Sequence, residues 1–303
     1  MNTARAIVFS CTLLIATTAR AATPTRGTVY VGVACGSHNV YKVEYDYDGV
    51  TTLTTSAPLL LASPPGGSYG YAIIPNRYLL VVGEGNMARI KLPTGAMTTA
   101  SPHNNGNTVM LDPDGITAWA GWKDTALSSI PLAPFADGTA HPVSGDDGVA
   151  TQIAFTPTHG VFYTTGGETT NGNVGTINLA TFHTTRLLSN IEATGIRYDP
   201  FSASVIFAAV GKAHQIDPAN PGVVISSRDD SVGGDYKDLV PNGMGHLLAA
   251  RYGATTSALV LLDYSATGLI GDATTRYVSA PIAIGCITGL AYDPVLFADG
   301  FEP

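Results

Sequence analysis

Two histidines and two glutamates stand in polar segments and carry the groups that metal-dependent or acid–base chemistry requires. Imidazole and carboxylate side chains bind divalent metal ions and transfer protons. The candidate catalytic residues are therefore His38, His214, Glu84 and Glu168. No compact ligand motif joins them, so loop histidines making ordinary hydrogen bonds are the alternative interpretation. A divalent metal ion is the cofactor that this interpretation would require.

Another set of residues could bind a ligand without catalysing a reaction. Tyr69, Trp122, Tyr236 and Tyr252 would form an aromatic platform for a sugar or another flat molecule, unless they pack between strands. Trp119, in the middle of an apolar run, is expected to be the packed tryptophan. The candidate ligand-binding residues are Tyr69, His103, Trp122, Lys212, Tyr236, Arg251 and Tyr252.

Two acidic pairs, Asp146-Asp147 and Asp229-Asp230, also stand in glycine-containing segments. Carboxylates with nearby carbonyl oxygens can bind calcium. Aspartates in such segments more often cap turns through their backbone N–H groups. Both interpretations stay open at this stage.

A repeated strand pattern would position these side chains. A short apolar run ending in proline recurs six times, and a second apolar run follows it after a loop. The prolines are Pro75, Pro113, Pro157, Pro200, Pro241 and Pro294, with intervals of 38 to 53 residues. Several strands in each period of about 40 to 50 residues are typical of propeller blades. Proline fits the end of a strand because it donates no ladder hydrogen bond.

The pattern predicts an all-β, six-bladed propeller, and the long last interval leaves a seventh blade open. The N-terminal unit has second and third strands, from Thr28 and Val40, but no first strand. The C-terminal unit has a first strand, Ile287 to Tyr292, with little after it. Pairing the two ends would complete one blade and close the ring, which removes exposed sheet edges.

The cysteines suit this closure. Cys35 ends a second strand and Cys286 leads into a first strand, so both would lie on one side of the composite blade. We expect a disulfide between them, stabilising the fold by about 4–5 kcal/mol across a loop of roughly 250 residues. Two buried free thiols are the alternative, and a zinc site has no neighbouring ligand cysteines to support it.

The strand Gly289-Leu290-Ala291-Tyr292-Asp293-Pro294, together with Val29-Tyr30-Val31-Gly32, resembles the repeats of NHL, YVTN and SMP-30-like propellers with six or seven blades. The resemblance spans nearly all of the mature chain and implies a topology. Members of the group include scaffolds, ligand binders, metal-dependent lactonases and a lyase. A lactonase of this group would have a glutamate leading a first strand, where this chain has Gly67-Ser68-Tyr69-Gly70.

The N-terminus has the features of an export signal. Arg5 precedes twelve apolar residues, and Ala19-Arg20-Ala21 matches a signal-peptidase site. We expect residues 1–21 to be a signal peptide, 22–296 the propeller and 297–303 a C-terminal tail. The tail contains Asp299-Gly300-Phe301-Glu302, similar to the ends of many exported Gram-negative proteins, and is read either as an address or as a frayed terminus.

Charge and composition limit the partners. The whole chain has 15 basic and 23 acidic residues, and loss of Arg5 and Arg20 leaves 13 against 23, a net charge of −10. This acidity argues against nucleic acid and anionic membranes as partners. We expect a secreted or periplasmic monomer without a membrane span. Its function is predicted as recognition of a glycan, small ligand or protein by the propeller loops. A metal-dependent lyase or lactonase and, more weakly, an envelope scaffold are the alternatives.

Overall fold

The structure of the chain is a computed structural model. It describes residues 25–33, 37–67, 69–92, 94–103, 106, 108–122, 126–166, 172–191, 193, 195–209, 212–229, 236–251, 258–277 and 287–293. In this part of the chain the regular elements are β-strands and one short 3₁₀ helix, Ile270–Asp272. No helix there is long and apolar enough to cross a membrane.

Twenty-six strands make up the fold. In the first half of the chain they are β1 Thr25–Val33, β2 Val40–Tyr47, β3 Leu53–Thr55, β4 Leu59–Ala62, β5 Gly70–Ile74, β6 Tyr78–Gly83, β7 Asn86–Lys91, β8 Met97–Ala100, β9 Thr108–Leu111, β10 Thr117–Gly121, β11 Ala126–Pro131, β12 Thr139–Pro142 and β13 Ser144–Gly145. In the second half they are β14 Gln152–Phe155, β15 Val161–Thr164, β16 Gly172–Asn178, β17 His183–Ile191, β18 Gly195–Asp199, β19 Ser204–Ala209, β20 Lys212–Ile216, β21 Val224–Asp229, β22 Tyr236–Pro241, β23 His246–Arg251, β24 Ala258–Asp263, β25 Thr274–Tyr277 and β26 Ile287–Asp293.

These strands form six sheets, antiparallel except for the short parallel pair of β13 and β17, and we number them as blades 1 to 6. Blade 1 contains β26 and β1–β4, blade 2 β5–β8, blade 3 β9–β12, blade 4 β13–β17, blade 5 β18–β21 and blade 6 β22–β25. The inner strand of each blade lies beside the inner strands of both neighbours, so the six complete a circle. The prediction of a six-bladed propeller is confirmed, and the long last interval holds no further blade among the described residues.

The ring closes as the sequence predicts. The C-terminal strand β26 is the inner strand of blade 1 and pairs antiparallel with β1, from Thr28 opposite Asp293 to Val33 opposite Ile287. Both ends of the chain therefore contribute to one sheet, in which β1 is paired on both edges, with β26 and with β2.

Apolar side chains between the blades form the core. One face of blade 1 packs Val29, Val43 and Tyr45 against Leu259 and Leu261 of blade 6. Alternating strand residues point to opposite faces, so the other face of blade 1 presents a second apolar set to blade 2. Trp119 is 9% exposed, which confirms the prediction that it packs in the interior.

Aspartates stabilise the turns between strands on one side of the ring, which we call the lower face. The carboxylate of Asp199 accepts hydrogen bonds from the N–H groups of Phe201 and Ser202, both at 3.1 Å. Asp112 accepts from the N–H of Asp114 at 3.0 Å and from Trp119 Nε1 at 2.8 Å. These interactions explain the aspartate before proline in the repeat, because it caps the following turn.

Candidate functional site

The predicted ligand residues lie mostly on the opposite side of the ring, which we call the upper face. There the second strands end, and the segments between blades lead into the inner strands. Several predicted residues of this face lie outside the described part of the chain: Cys35, Glu168, Tyr252 and Cys286.

Two predicted aromatic residues come together on the upper face. The ring centroids of Tyr69 and Trp122 are 6.4 Å apart, and the planes are inclined by 52°. Both side chains are half-buried. Tyr69 leads into β5 of blade 2 and Trp122 follows β10 of blade 3. The pair therefore spans the boundary between two blades, where side chains from separate loops can face one ligand.

Backbone geometry holds the two rings in place. The N–H of Tyr69 donates to the carbonyl of Val82 at 2.9 Å. Gly67 has φ +99° and lies under the tyrosine ring, where a Cβ atom would be 2.7 Å from it. At Gly121, before Trp122, a Cβ would clash with the carbonyl of Thr151. Only glycine satisfies both the conformation and the space at Gly67.

Polar groups of the β6–β7 turn lie next to this pair. The N–H of Glu84 donates to the carbonyl of Gly66, and Asn86 Nδ2 donates to the carbonyl of Glu84 at 3.1 Å. Glu84 itself is exposed. The segment before Tyr69 is thus held against the turn that carries a predicted carboxylate.

His38 and His103 are exposed on two different loops, and both have left-handed backbone conformations, with φ 48° and 59°. The neighbouring Asn39 accepts a hydrogen bond from Ser63 at 2.7 Å, and the N–H of His103 donates to Ser101 at 3.2 Å. Left-handed φ is uncommon outside glycine and marks positions that the surroundings determine. Within the described residues, no three His, Cys, Asp or Glu side chains gather where they could hold a metal ion.

Lys212 and His214 lie away from the channel. Both belong to β20, the third strand outward in blade 5. His214 Nδ1 is 2.8 Å from Ser227 Oγ, and Lys212 forms an exposed ion pair with Asp229 at 3.4 Å. Burial lowers the pKa of His214, and the charge of Lys212 acts in the same direction. The structure does not bring His214 together with His38 or Glu84.

Tyr236 and Arg251 end up in strands of blade 6. Tyr236 begins the inner strand β22 and is 2% exposed, inside the apolar core. Arg251 is the last residue of β23, beside the upper face. The aromatic platform expected from four residues thus has two described members in contact, Tyr69 and Trp122.

The described residues of the acidic pairs have protein partners, while Asp230 lies outside the described part of the chain. Asp147 accepts from Arg186 Nε at 2.8 Å and from Asn173 Nδ2 at 2.7 Å, and Tyr163 also donates to it. Burial opposes ionisation of Asp147, but these hydrogen bonds lower its pKa overall. Asp229 pairs with Lys212. These contacts favour structural roles over calcium binding.

Polar residues that the sequence analysis did not single out line the channel. Thr108 donates to the carbonyl of Thr151 at 2.6 Å, and Gln152 accepts from the N–H of Ile196. Asp238 accepts from the N–H of Leu290 at 3.1 Å. Each bond joins one blade to the next. Thr108 and Gln152 both stand five residues before the proline of their repeat, which an alignment of the repeats would have revealed, whereas Asp238 stands three residues before Pro241.

A charged pair adds to these hydrogen bonds between blades. Arg197 lies 3.1 Å from Asp238, and the two side chains are 12% and 6% exposed. Burial raises the pKa of Asp238 against the opposing charge of Arg197. An apolar cavity of about 140 Å³ is lined by Tyr71, Met110, Val240 and Leu290, among others. Because Arg197 and Asp238 form an ion pair, neither of these two charges is left unpaired for a ligand.

Comparison with known proteins adds the fold but no family. No family model matches the chain, and no curated protein matches it. Among solved structures, regucalcin from Agrobacterium tumefaciens strain C58, a calcium-binding protein, aligns with a TM-score of 0.52 and 16% identity over 72% of this chain and 76% of its own. A provisionally assigned 6-phosphogluconolactonase from Bacteroides fragilis aligns with a TM-score of 0.58 and 10% identity over 88% and 98%.

The extracellular domain of a provisionally assigned one-component system from B. thetaiotaomicron aligns with a TM-score of 0.52 and 14% identity. That alignment covers 87% of this chain and 36% of the other. The likeness to regucalcin and to the lactonase-type propeller confirms the architectural resemblance to SMP-30-like proteins. At these identities it carries the fold and no activity.

Proposed function

We propose that the protein is a recognition module that binds a glycan on its upper face, with Tyr69 and Trp122 as the central contacts. The observation that carries this proposal is the inclined aromatic pair at the boundary between blades 2 and 3. Tryptophan and tyrosine combine a large apolar face with a polar edge. The C–H groups of a sugar ring pack on such a face, while its hydroxyl groups reach polar neighbours.

Hydrogen-bonding groups around the pair support this ligand class. Glu84 and His103 are exposed on adjoining loops of the same face. Arg251 and Tyr252 follow a second strand and remain predicted contacts. Tyr236 is buried and Lys212 is paired with Asp229, so the proposal does not rely on them.

A glycan array followed by calorimetry tests this proposal. We expect Trp122→Ala and Tyr69→Ala each to weaken binding of the selected glycan by at least about tenfold, since aromatic anchors contribute most at binding sites. Phe182→Ala, on the lower face of blade 4, is the matched aromatic control and should bind normally. Retained affinity in both upper-face variants, with the fold intact by circular dichroism, would refute the proposal.

The second candidate is a metal-dependent lyase or lactonase that uses His38, His214, Glu84 and Glu168. The names of two structural neighbours favour it, but the described candidates do not converge. Melting temperatures with EDTA and with added Ca²⁺, Mg²⁺, Mn²⁺ or Zn²⁺ distinguish the two functions, because a ligand that binds only the native state stabilises it. A metal-specific rise that His38→Ala or Glu84→Ala abolishes would favour the enzyme.

We also propose that the protein is exported, cleaved after Ala21 and closed by a disulfide between Cys35 and Cys286. Val33 lies opposite Ile287 in the closing ladder, which supports this pairing because each residue is within two positions of a cysteine. Intact mass and non-reducing peptide mapping of protein from the periplasm or medium test both points. A mature chain that begins at Ala22 and lacks two hydrogens is the expected result.

A further inference from the structure

Blade 1 extends farther toward the lower face than its neighbour. Its strands β1 and β2 have nine and eight residues, whereas the corresponding β6 and β7 of blade 2 have six each. Tyr30 and Ala291 mark the face of blade 1 that packs against Tyr71 and Leu79 of blade 2. Residues two and four positions away along each strand share this face, because side chains alternate. The shorter strands of blade 2 leave Arg26 exposed at the end of this face, whereas Thr28 and Asp293 are buried.

The strand register arranges the side chains at this end of the face in two rows. Arg26 lies opposite Asp46, which lies opposite Thr54. In the adjacent row Asp293 lies opposite Thr28, which lies opposite Glu44. Apart from Asp293, the residues of both rows line a groove of about 480 Å³, which Thr55 and Ser56 also border. Small-molecule sites commonly have volumes of about 300–1,000 Å³.

The groove has hydrogen-bonding capacity that the protein does not use. In the described part of the chain, the side chains of Arg26 and Asp46 form no ion pair or hydrogen bond, although the two residues lie opposite each other on neighbouring strands. Both residues are exposed. A ligand can therefore contact a guanidinium and a carboxylate side by side without breaking an existing interaction.

Asp293, at the inner end of the second row, is a buried residue next to the groove and outside its lining. It is 9% exposed, and its Oδ1 is buried without a hydrogen-bond partner. Asp112 and Asp199 hold the same position in blades 3 and 5, where turn N–H groups donate to them. In blade 1 the inner and second strands come from opposite ends of the chain, so no such turn joins them. A buried acceptor without a donor is costly, by about 1–3 kcal/mol.

The charges in the groove balance. Lys42 pairs with Glu44 at 2.7 Å, and Arg26 is set against Asp46. The groove is thus close to neutral but rich in acceptors, donors and hydroxyl groups, with no large apolar surface among its lining residues. Carboxylates accept hydrogen bonds from neighbouring hydroxyl groups of a sugar, and a guanidinium donates to its oxygens.

We propose that this groove on blade 1 is a binding site for a neutral polyhydroxylated molecule of mono- or disaccharide size. It is separate from the upper-face site and goes beyond the function proposed above. Asp46 and Arg26 hold the hydroxyl groups of the ligand.

The test uses three sugars that share one ring and differ in charge: N-acetylglucosamine, glucosamine and glucuronate. Saturation-transfer NMR and titration are carried out on the full chain with Trp122→Ala, which removes the upper-face aromatic contact. We expect N-acetylglucosamine to bind in preference to the charged sugars. Arg26→Gln and Asp46→Asn should each weaken binding at least tenfold, while Lys91→Gln on blade 2 should not.

Each result decides the proposal. Binding of the neutral sugar that both groove variants weaken supports the site, even if the upper-face proposal fails. Absence of binding by all three sugars, preference for a charged one, or unchanged affinity in Arg26→Gln and Asp46→Asn would overturn it. Both substituted residues are exposed, so the variants are expected to fold, and circular dichroism verifies this.

Discussion

The two boundaries of blade 1 are built differently. Toward blade 6, polar bonds supplement the apolar contacts at the lower end: Tyr47 donates to Asp263 at 2.8 Å, and Asn242 donates to Thr25 at 3.4 Å. Toward blade 2, the packing of Tyr30 is apolar, and at the lower end a backbone hydrogen bond links Asn76 to Asp293 in place of a side-chain pair. The difference lies where the two ends of the chain meet.

Chain connectivity explains the contrast. Blade 2 follows blade 1 directly along the sequence, so the segment between β4 and β5 already restricts their arrangement. The N-terminal strands of blade 1 are not joined to blade 6 by a short chain segment, so side-chain contacts, together with the proposed disulfide, fix them there. Hydrogen bonds between buried groups are directional, so they restrict two blades to one relative arrangement. Apolar packing alone restricts that arrangement less narrowly.

The largest expected effect is at the channel end of the blade 6 boundary. Asp238 accepts from Leu290 of β26 and pairs with Arg197. Asp238→Ala would leave a buried guanidinium unpaired, and we expect a loss of about 3–5 kcal/mol in the free energy of unfolding. Urea denaturation measures it. Asp229→Ala, which removes the exposed pair with Lys212, should cost less than about 1 kcal/mol. Equal losses in the two variants would contradict the assignment.

A tyrosine on each side of blade 1 allows a direct comparison. Tyr47→Phe removes the hydroxyl that bonds to Asp263, and we expect a loss of about 1.5–3 kcal/mol because the acceptor is charged. Tyr30→Phe removes a hydroxyl from the blade 2 side and should change stability by about 0.5 kcal/mol or less. Chemical denaturation of both variants gives the two values. A similar cost on both sides would show that the boundaries are equivalent.

The pH dependence is expected to be a smaller effect of the same boundary. His246 is fully buried, its ring meets Tyr47 edge-on, and its Nε2 lies 3.6 Å from Asp263 Oδ1. Burial lowers the pKa of His246, against the opposing charge of Asp263. Below about pH 6.5 the unfolded chain therefore binds a proton that the folded protein does not. Stability is full above this pH and falls as the pH decreases toward the folded-state pKa.

Asp263 adds to this trend at lower pH. Burial opposes ionisation, but hydrogen bonds from Ser265 and Tyr47 lower its pKa overall, so its contribution is present at neutral pH and is lost as acid protonates it. Denaturation curves between pH 7 and 5 should show a slope of at most about 1.4 kcal/mol per pH unit for His246. His246→Gln should flatten that slope, whereas His183→Gln, at an exposed position of blade 4, should retain it. A slope that His246→Gln leaves unchanged would exclude this group.

Much of the fold was predictable because inner and second strands are apolar and end at fixed residues. The proline after Ile74 and the aspartate at Asp199 mark turns that recur around the ring. The outer strands carried little signal, since β8 and β17 are short or largely exposed and lack a repeated pattern. Closure of the ring by strands from both chain ends was predictable, because the N-terminal unit lacks a first strand.

The candidate site was less predictable, because strand boundaries decide which side chains reach the upper face. Tyr69 and Trp122 lie just outside their strands, and the prediction that they share a surface agrees with their contact. His214 was assigned to a loop, but β20 begins two residues earlier and carries it into the sheet. The Arg197–Asp238 pair depends on the distance between separate blades, which no local pattern reports.

The closing ladder also determines how the molecule responds to tension. β1 and β26 run antiparallel, with the beginning of β1 beside the end of β26 at the lower face. A force that separates the two chain ends would act first on the hydrogen-bonded pair Thr28 and Asp293 and then on each following pair in turn. Hydrogen bonds that break one at a time yield at much lower force than bonds sheared together. The ladder should therefore separate readily from the lower face up to the proposed disulfide at its other end, even where the fold resists heat or denaturant.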